Sequence, residues 1–244
     1  MKTLIIIPSR LAATRLPGKP LLKINGLSII SHVFKKAEKA KIGEVLVATE
    51  NKEIVDDVKK NGGQAVLTSN QHKTGTDRIY EALQKIDISN IDLVMNLQGD
   101  EPLINVDDIR NLNQLMTNSN TKMGTLASKI FDKKIYNNQS VVKVKTREKL
   151  NHKNFPEAIS FKRKIIKQEV NIYHHVGIYC YSLKTLKNFV SHKQSSSETK
   201  YNLEQLRALE NKIKINVALA RSHSIGIDTK EDFMAIKKIM EYKT

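Results

Sequence analysis

Cysteine is nearly missing from this chain: Cys180 is the only one among 244 residues. No intrachain disulfide can form and no cysteine-based zinc cluster can be assembled from one copy, so a reducing compartment is expected. Tryptophan is absent and aromatics reach only 5%. There is no run of rings interleaved with arginine to serve as a stacking platform for single strands, and no zinc-finger or basic-zipper spacing. Long apolar runs are lacking too. Leu4-Ile5-Ile6-Ile7, ahead of Pro8, is too short for a signal-peptide core, and nowhere do about 18 apolar residues follow one another. A soluble, cytoplasmic protein with no membrane partner is expected.

Acidic residues are also in short supply. Asp and Glu number 25 against 41 Lys and Arg, a formal net charge of +16. A strongly basic chain attracts phosphate backbones, so a nucleic-acid-binding protein is one reading. The other is a lysine-rich solvated surface. The lysines are spread along the chain, with one tight cluster at Lys162-Arg163-Lys164 and Lys167; this favours the second reading, with no nucleic-acid partner. The same charge suits capture of small polyanions.

Enough apolar residues are present, 40%, to bury one substantial core, as a single α/β domain or a domain with a small lobe. In the first half, short apolar runs at Thr3 to Pro8, Glu44 to Thr49, Ala65 to Thr68 and Asp92 to Gln98 read as buried parallel strands. Helical periodicity falls between them, at Ser28 to Ala40, Lys52 to Asn61 and Asp77 to Ile86. The alternation predicts a doubly wound sheet. The second half is less regular. Strands are predicted at Gly124 to Ile130, Val141 to Thr146, Ile172 to Tyr181 and Ile215 to Ala220. Helices are predicted at Val106 to Met116, Leu183 to Val190, Tyr201 to Asn211 and Lys230 to Tyr242. The polar stretch Ser191 to Lys200 reads as a mobile loop.

Three constellations carry chemistry. Pro8-Ser9-Arg10 ends the first strand, and Thr14-Arg15-Leu16-Pro17-Gly18-Lys19-Pro20 follows. Loops at the carboxyl ends of strands are where open α/β sheets bind ligands, and Pro17-Gly18 supplies a turn that brings Lys19 back. Arg10, Arg15 and Lys19 together could neutralise a triphosphate, or form an ordinary basic turn. Pro20 after Gly18-Lys19 excludes a Walker A loop, and no GxGxxG occurs. In Thr74-Gly75-Thr76-Asp77-Arg78, backbone N–H groups at a helix start could meet a base carbonyl or an anion; alternatively Thr76 or Asp77 simply caps the helix. Finally, Met95 to Pro102 delivers Gln98, Gly99, Asp100 and Glu101 to a strand end. Magnesium is commonly held by one or two carboxylates, with water and phosphate completing its shell, and a distant second carboxylate is available at Asp228. Thr229 with Asp232 resembles a capping box, so Asp228 is equally readable as a cap or turn residue.

Taken together and in this order, these segments resemble the 3-deoxy-manno-octulosonate (Kdo) cytidylyltransferases, or CMP-Kdo synthetases, over nearly the whole chain. His175-Val176-Gly177-Ile178-Tyr179 and Leu203-Glu204-Gln205-Leu206-Arg207 match the family's sugar-acid segments. The resemblance implies an α/β fold: a Rossmann-like, GT-A-like nucleotidyltransferase core with a mixed, mostly parallel sheet. It implies one domain over 1–244, with 125–185 contributing a dimerisation lobe and a homodimer as the assembly. It implies CTP and Kdo as substrates and lipopolysaccharide assembly as the pathway. Asp100 and Asp228 would hold Mg²⁺ and, with Arg10 and Lys19, form the catalytic set. The implied nucleotide site is Pro8, Arg10, Arg15, Lys19, Gly75, Thr76, Arg78, Gln98 and Asp100. The implied sugar site is Gln98, Arg163, His175, Gly177, Tyr179, Glu204 and Gln205. By residue type alone His175 reads as a core or interface histidine, and Glu204 and Gln205 as the exposed face of a helix; their functional roles rest on the resemblance. One segment departs: the family shows Ser-Arg followed by Ile-Pro, whereas Ile159 to Ile166 has no proline. Arg163 or Lys162 is the candidate there for the sugar carboxylate, and a related 2-keto sugar acid such as 8-amino-Kdo is the alternative acceptor.

Overall fold

The computed structural model describes residues 1–12, 15–165, 169–222 and 226–242. Thr14 of the basic loop and Ile166 and Lys167 of the later segments lie outside the described residues. In chain order the elements are β1 (Thr3–Ser9), β2 (Lys23–Ile24), β3 (Leu27–Ser28), α1 (Ile29–Ala40), β4 (Gly43–Thr49), α2 (Lys52–Lys60), β5 (Ala65–Leu67), α3 (Gly75–Gln84), β6 (Leu93–Asn96) and α4 (Val106–Asn118). There follow β7 (Met123–Ser128), β8 (Lys143–Thr146), β9 (Ala158–Lys162), β10 (Ile172–Ser182), α5 (Leu183–Ser191), α6 (Ser196–Tyr201), α7 (Gln205–Glu210), β11 (Asn216–Leu219) and α8 (Lys230–Glu241). They gather into two compact units, Met1–Ile109 with Ser224–Thr244, and Arg110–His223.

In the first unit the strands run β6-β1-β4-β5, every pair parallel. A parallel strand covered on both faces must be apolar on both, and Ile5, Ile6 and Ile7 of β1 are fully buried. Ile29, Ile30, Val33, Phe34 and Ala37 form the buried stripe of α1, the periodicity read from the sequence. That helix starts where the Ser28 hydroxyl accepts the Ser31 N–H and stops at Lys41 in the left-handed region. The short β2–β3 hairpin was overlooked. Its Asn25-Gly26 turn places both residues at positive φ, 48° and 77°, the conformation that Asn-Gly favours in two-residue hairpins.

The second unit mixes directions. β7 pairs with β11 in parallel and with β10 antiparallel, while β10–β8 and β8–β9 are antiparallel. The pairing of β10 with β7 shifts register between Val176 and Tyr179, so Gly177 lies in an irregular stretch of the strand. The Lys143 ammonium is buried and donates to the carbonyls of Asn138, Val141 and Arg163 at 2.6, 2.8 and 2.7 Å, using all its protons. Burial and the neighbouring Arg163 charge lower its pKa to about 8.

Two sequence expectations need correction here. Tyr201 to Asn211 is not one helix: Asn202 takes a left-handed conformation that ends α6, and α7 begins afresh at Gln205. Nor is Ser191 to Lys200 all loop. Ser195 and Glu198 form a capping box that starts α6, and Glu198 is buried in a two-pronged pair with Arg207 at 2.8 and 2.5 Å. The signal was present in Ser195-Ser196-Ser197-Glu198, but serine richness outweighed it. Strand β9 is a further element not expected from the sequence, while the architecture is the expected α/β one with a mixed, mostly parallel sheet.

Candidate active site

The site in the first unit is assembled by strand ends and one apolar anchor. β1 and β6 are adjacent and parallel with Ile6 opposite Asn96, so the segment leaving β6 at Leu97 runs along the last residues of β1 toward the loop that starts at Arg10. Gly99 lets the chain pass closely at this junction. A Cβ there would lie 3.2 Å from the Pro8 carbonyl oxygen and 3.1 Å from Ile30, close enough that these neighbours would have to shift by a few tenths of an ångström. After β1, the chain is tied back by the Leu11 N–H donating to Asn51 Oδ1 at 2.9 Å. It turns at Gly18, whose φ of 66° needs little steric concession from glycine. Arg10 remains exposed at the strand end.

Asp228 is brought in by its neighbour. Ile227 is fully buried with Ile24, Ile29 and Ile236, an anchor of about 1.5–3 kcal/mol, and its N–H donates to the Asp100 carbonyl at 2.9 Å. Thr229 and Asp232 do form the capping box of α8. The cap is therefore Thr229, which leaves the Asp228 side chain to face the basic loop.

The outcome is a compact charge cluster. Lys19 Nζ lies 2.7 Å from Asp100 Oδ2, 2.7 Å from the Ile227 carbonyl oxygen and 3.5 Å from Asp228 Oδ1. Arg15 reaches the same Asp228 oxygen at 3.2 Å. Of the three loop cations, then, Lys19 and Arg15 rest on carboxylates instead of forming an open phosphate cup. The three oxygens around Lys19 are hard donors of the kind Mg²⁺ uses, with room in its shell for water and phosphate; two carboxylates and a carbonyl fit that ion. Among the described residues no cluster of three or more His, Cys, Asp or Glu side chains suited to a metal is found.

Arg78, expected in the nucleotide site, is held in a largely buried pair. Only 3% exposed, its guanidinium pairs with Glu50 and donates to the Thr68 hydroxyl at 2.7 Å, fastening α3 to the ends of β4 and β5. The α3 cap is Thr74, whose hydroxyl accepts the Asp77 N–H, not Thr76 or Asp77. Gly75 opens the helix and Thr76 is buried. Gln98 is half-buried in the segment after β6.

In the second unit, His175 is buried and its Nε2 lies 3.0 Å from the Thr125 hydroxyl. That hydroxyl is 2.7 Å from the Ile178 carbonyl, to which it donates; it therefore accepts from His175, which places a proton on Nε2. Burial, aided by the charge of His174, pushes the His175 pKa down to about 3. The Tyr179 ring packs 5.4 Å from His175. Its hydroxyl is buried near Thr125 without completing a hydrogen bond among the described residues. Burial and then the charges of Tyr181 and Glu204 hold its pKa well above 10, so His175, Tyr179 and Glu204 share one neighbourhood. Gln205 is buried at the start of α7 and Glu204 is half-buried at its cap, which replaces the exposed helix face of the sequence reading. Thr125 was missed; a hydroxyl inside the apolar run of β7 was its only signal.

Arg163 is where the geometry departs most from expectation. Its guanidinium donates to the carbonyls of Tyr201, Gln139 and Asn202 at 2.9, 3.1 and 3.1 Å, a backbone clamp in place of an open carboxylate receptor. Lys162, the other candidate, faces Glu169 at 3.7 Å.

Comparison with known proteins gives the family of the chain. The family model described as cytidylyltransferase matches residues 4–215. The 3-deoxy-manno-octulosonate cytidylyltransferase of Thermodesulfovibrio yellowstonii is 43% identical, covering 98% of each chain. That of Rhodopseudomonas palustris is 41% identical, covering 99% of this chain and 98% of its own. The chain belongs to the 3-deoxy-manno-octulosonate cytidylyltransferase family. Among solved structures it is similar to a CMP:2-keto-3-deoxy-manno-octonic acid synthetase complexed with CTP, with a TM-score of 0.89, 33% identity and full coverage of both chains. A cytidylyltransferase from Leptospira borgpetersenii, 22% identical with a TM-score of 0.64 over 99% of this chain and 87% of its own, shares the fold. The cytidylyltransferase family resemblance read from the motif segments is thereby borne out. Among the described residues no helix is long and apolar enough to cross a membrane.

Proposed function

We propose that this protein transfers CMP from CTP to the anomeric 2-hydroxyl of 3-deoxy-manno-octulosonate, releasing pyrophosphate. Membership of the family over the full chain is the observation that carries this reading, and the Lys19–Asp100–Asp228 cluster is its chemical counterpart. The 2-hydroxyl oxygen forms a bond to the α-phosphorus as the bond from that phosphorus to the pyrophosphate oxygen breaks, and the hydroxyl proton passes to solvent. Such a transfer depends on positioning and charge neutralisation more than on covalent catalysis.

In this reading Arg10, Arg15 and Lys19 neutralise the triphosphate, and Pro8, Gly75, Thr76 and Gln98 shape the nucleotide site. Asp100 and Asp228 would hold Mg²⁺, which supplies Lewis-acid polarisation of phosphoryl oxygens when bound. Gln98, His175, Gly177, Tyr179, Glu204 and Gln205 receive the sugar acid. A neutral His175 and an un-ionised Tyr179 suit hydroxyl-rich ligands, because each can exchange hydrogen bonds without an uncompensated buried charge. Arg163 acts on the sugar site through the backbone it clamps. The finer reading includes a cytoplasmic location, a homodimer with 125–185 contributing the lobe, and a product that feeds lipopolysaccharide assembly.

Pyrophosphate release from CTP and Mg²⁺, run with Kdo and without any acceptor, tests the reading. Kdo-dependent release is expected. Release with 8-amino-Kdo but not Kdo would move the acceptor to that relative, and release with neither would overturn the substrate assignment.

A further inference from the structure

Lys19 stands where a cation belongs. Its ammonium has three protons and meets three oxygens, from Asp100, Asp228 and the Ile227 carbonyl, at 2.7, 3.5 and 2.7 Å. The side chain is 13% exposed, against 31% for Asp100 and 46% for Asp228, so the charge is inserted between the carboxylates and does not merely lean on them from solvent. Asp228 cannot withdraw easily, because Ile227 is locked into the apolar cluster beside it. Two carboxylates so fixed repel one another unless a positive charge lies between them.

Resting on the metal assignment above, we propose that Lys19 is a built-in counter-ion that occupies the divalent-cation position until nucleotide arrives. An ammonium and a divalent ion cannot hold the same carboxylate oxygens, since their like charges would sit within a few ångströms at a partly buried position. The divalent ion therefore competes with Lys19 in the ligand-free protein. A triphosphate offers the ammonium an alternative anion, and when Lys19 moves to it the carboxylates are released to the metal. Metal and nucleotide then raise each other's affinity by the same factor, as linkage requires. Arg15, already 3.2 Å from Asp228 Oδ1, has the same choice between carboxylate and phosphate and reinforces the exchange.

The test is direct Mn²⁺ binding to the full chain without nucleotide or sugar, followed by electron paramagnetic resonance of free Mn²⁺. Lys19→Met removes the competing charge and should bind Mn²⁺ at least about tenfold more tightly than the parent, and Mn²⁺ should raise its melting temperature by more. Lys19→Gln, which keeps an amide donor for the Ile227 carbonyl, should behave alike and serves if the methionine variant folds poorly; Lys19→Arg should stay weak. Adding Asp100→Asn to Lys19→Gln should abolish the gain. Equal or weaker Mn²⁺ affinity in both neutral variants, no measurable Mn²⁺ binding in any of them, or a gain that survives Asp100→Asn would each overturn the proposal. None of these readouts uses an acceptor, so loss of Kdo-dependent turnover would overturn the function without touching this result.

Discussion

The two units treat charge differently. In the first unit the charges of Lys19, Asp100, Asp228 and Arg15 meet beside the parallel strand ends with rising exposure, 13%, 31%, 46% and 60%, and mostly touch other side chains. In the mixed unit Lys143, Glu198 and Arg207 are at most 2% exposed, and Lys143 and Arg163 are spent on backbone carbonyls. Partly solvated side-chain partners can be exchanged for a ligand at modest cost, whereas a buried ion deprived of its partner costs several kcal/mol. Charge alone therefore does not mark a site; exchangeable charge does. Arg78 shows the contrast within the first unit: its side chain is 4% exposed, against 60% for Arg15, and it is held by Glu50 and Thr68.

The comparison is broken most directly at Asp100. Asp100→Asn should lower pyrophosphate release by on the order of 10²–10³ with little change in melting temperature; near-normal turnover with Mg²⁺ would make the cluster ordinary surface charge. The converse applies to Glu198→Gln. It should cost about 3–5 kcal/mol in urea unfolding, and a stability unchanged from the parent would mean that the buried pair is not part of the architecture.

A smaller effect is expected from His175. Its folded pKa near 3 lies below the ordinary 6.5, so between those values the unfolded chain binds the extra proton. The contribution is whole above pH 6.5 and is lost as pH falls toward 3, amounting to about 2 kcal/mol by pH 5. His175→Gln should remove that part of the pH dependence; an identical slope in both proteins would place the proton elsewhere. Smallest is Arg163→Ala, expected to cost about 1 kcal/mol through its carbonyl bonds. Hydrogen exchange should speed up around Gln139 and Asn202 while the KM for CTP stays put. A raised KM for CTP would tie this clamp to the nucleotide instead.

What the sequence made legible follows the same division. β1, β4, α1 and the paired segments at Asp100 and Asp228 could be read because parallel strands and their helices have strong periodicity and because motif order is specific. The commitment of Arg163 could not be read, since its acceptors are backbone carbonyls from three distant positions, which carry no side-chain signature. The break at Asn202 lay hidden in a helix-like pattern, where one left-handed residue redirects the chain. Lys19 was expected to face phosphate; that it rests first on Asp100 depends on Ile227, an apolar residue whose part is to deliver a carbonyl and fix its neighbour.

In the proposed reading the first unit handles the nucleotide and cation, and the mixed unit supplies every sugar-acid residue except Gln98. Tyr179→Phe tests it most directly, because it removes only a buried hydroxyl that completes no hydrogen bond among the described residues. The KM for Kdo should rise by about tenfold, the value of one hydrogen bond, with the KM for CTP and the melting temperature unchanged. A rise in the KM for CTP with that for Kdo unaltered would contradict the division.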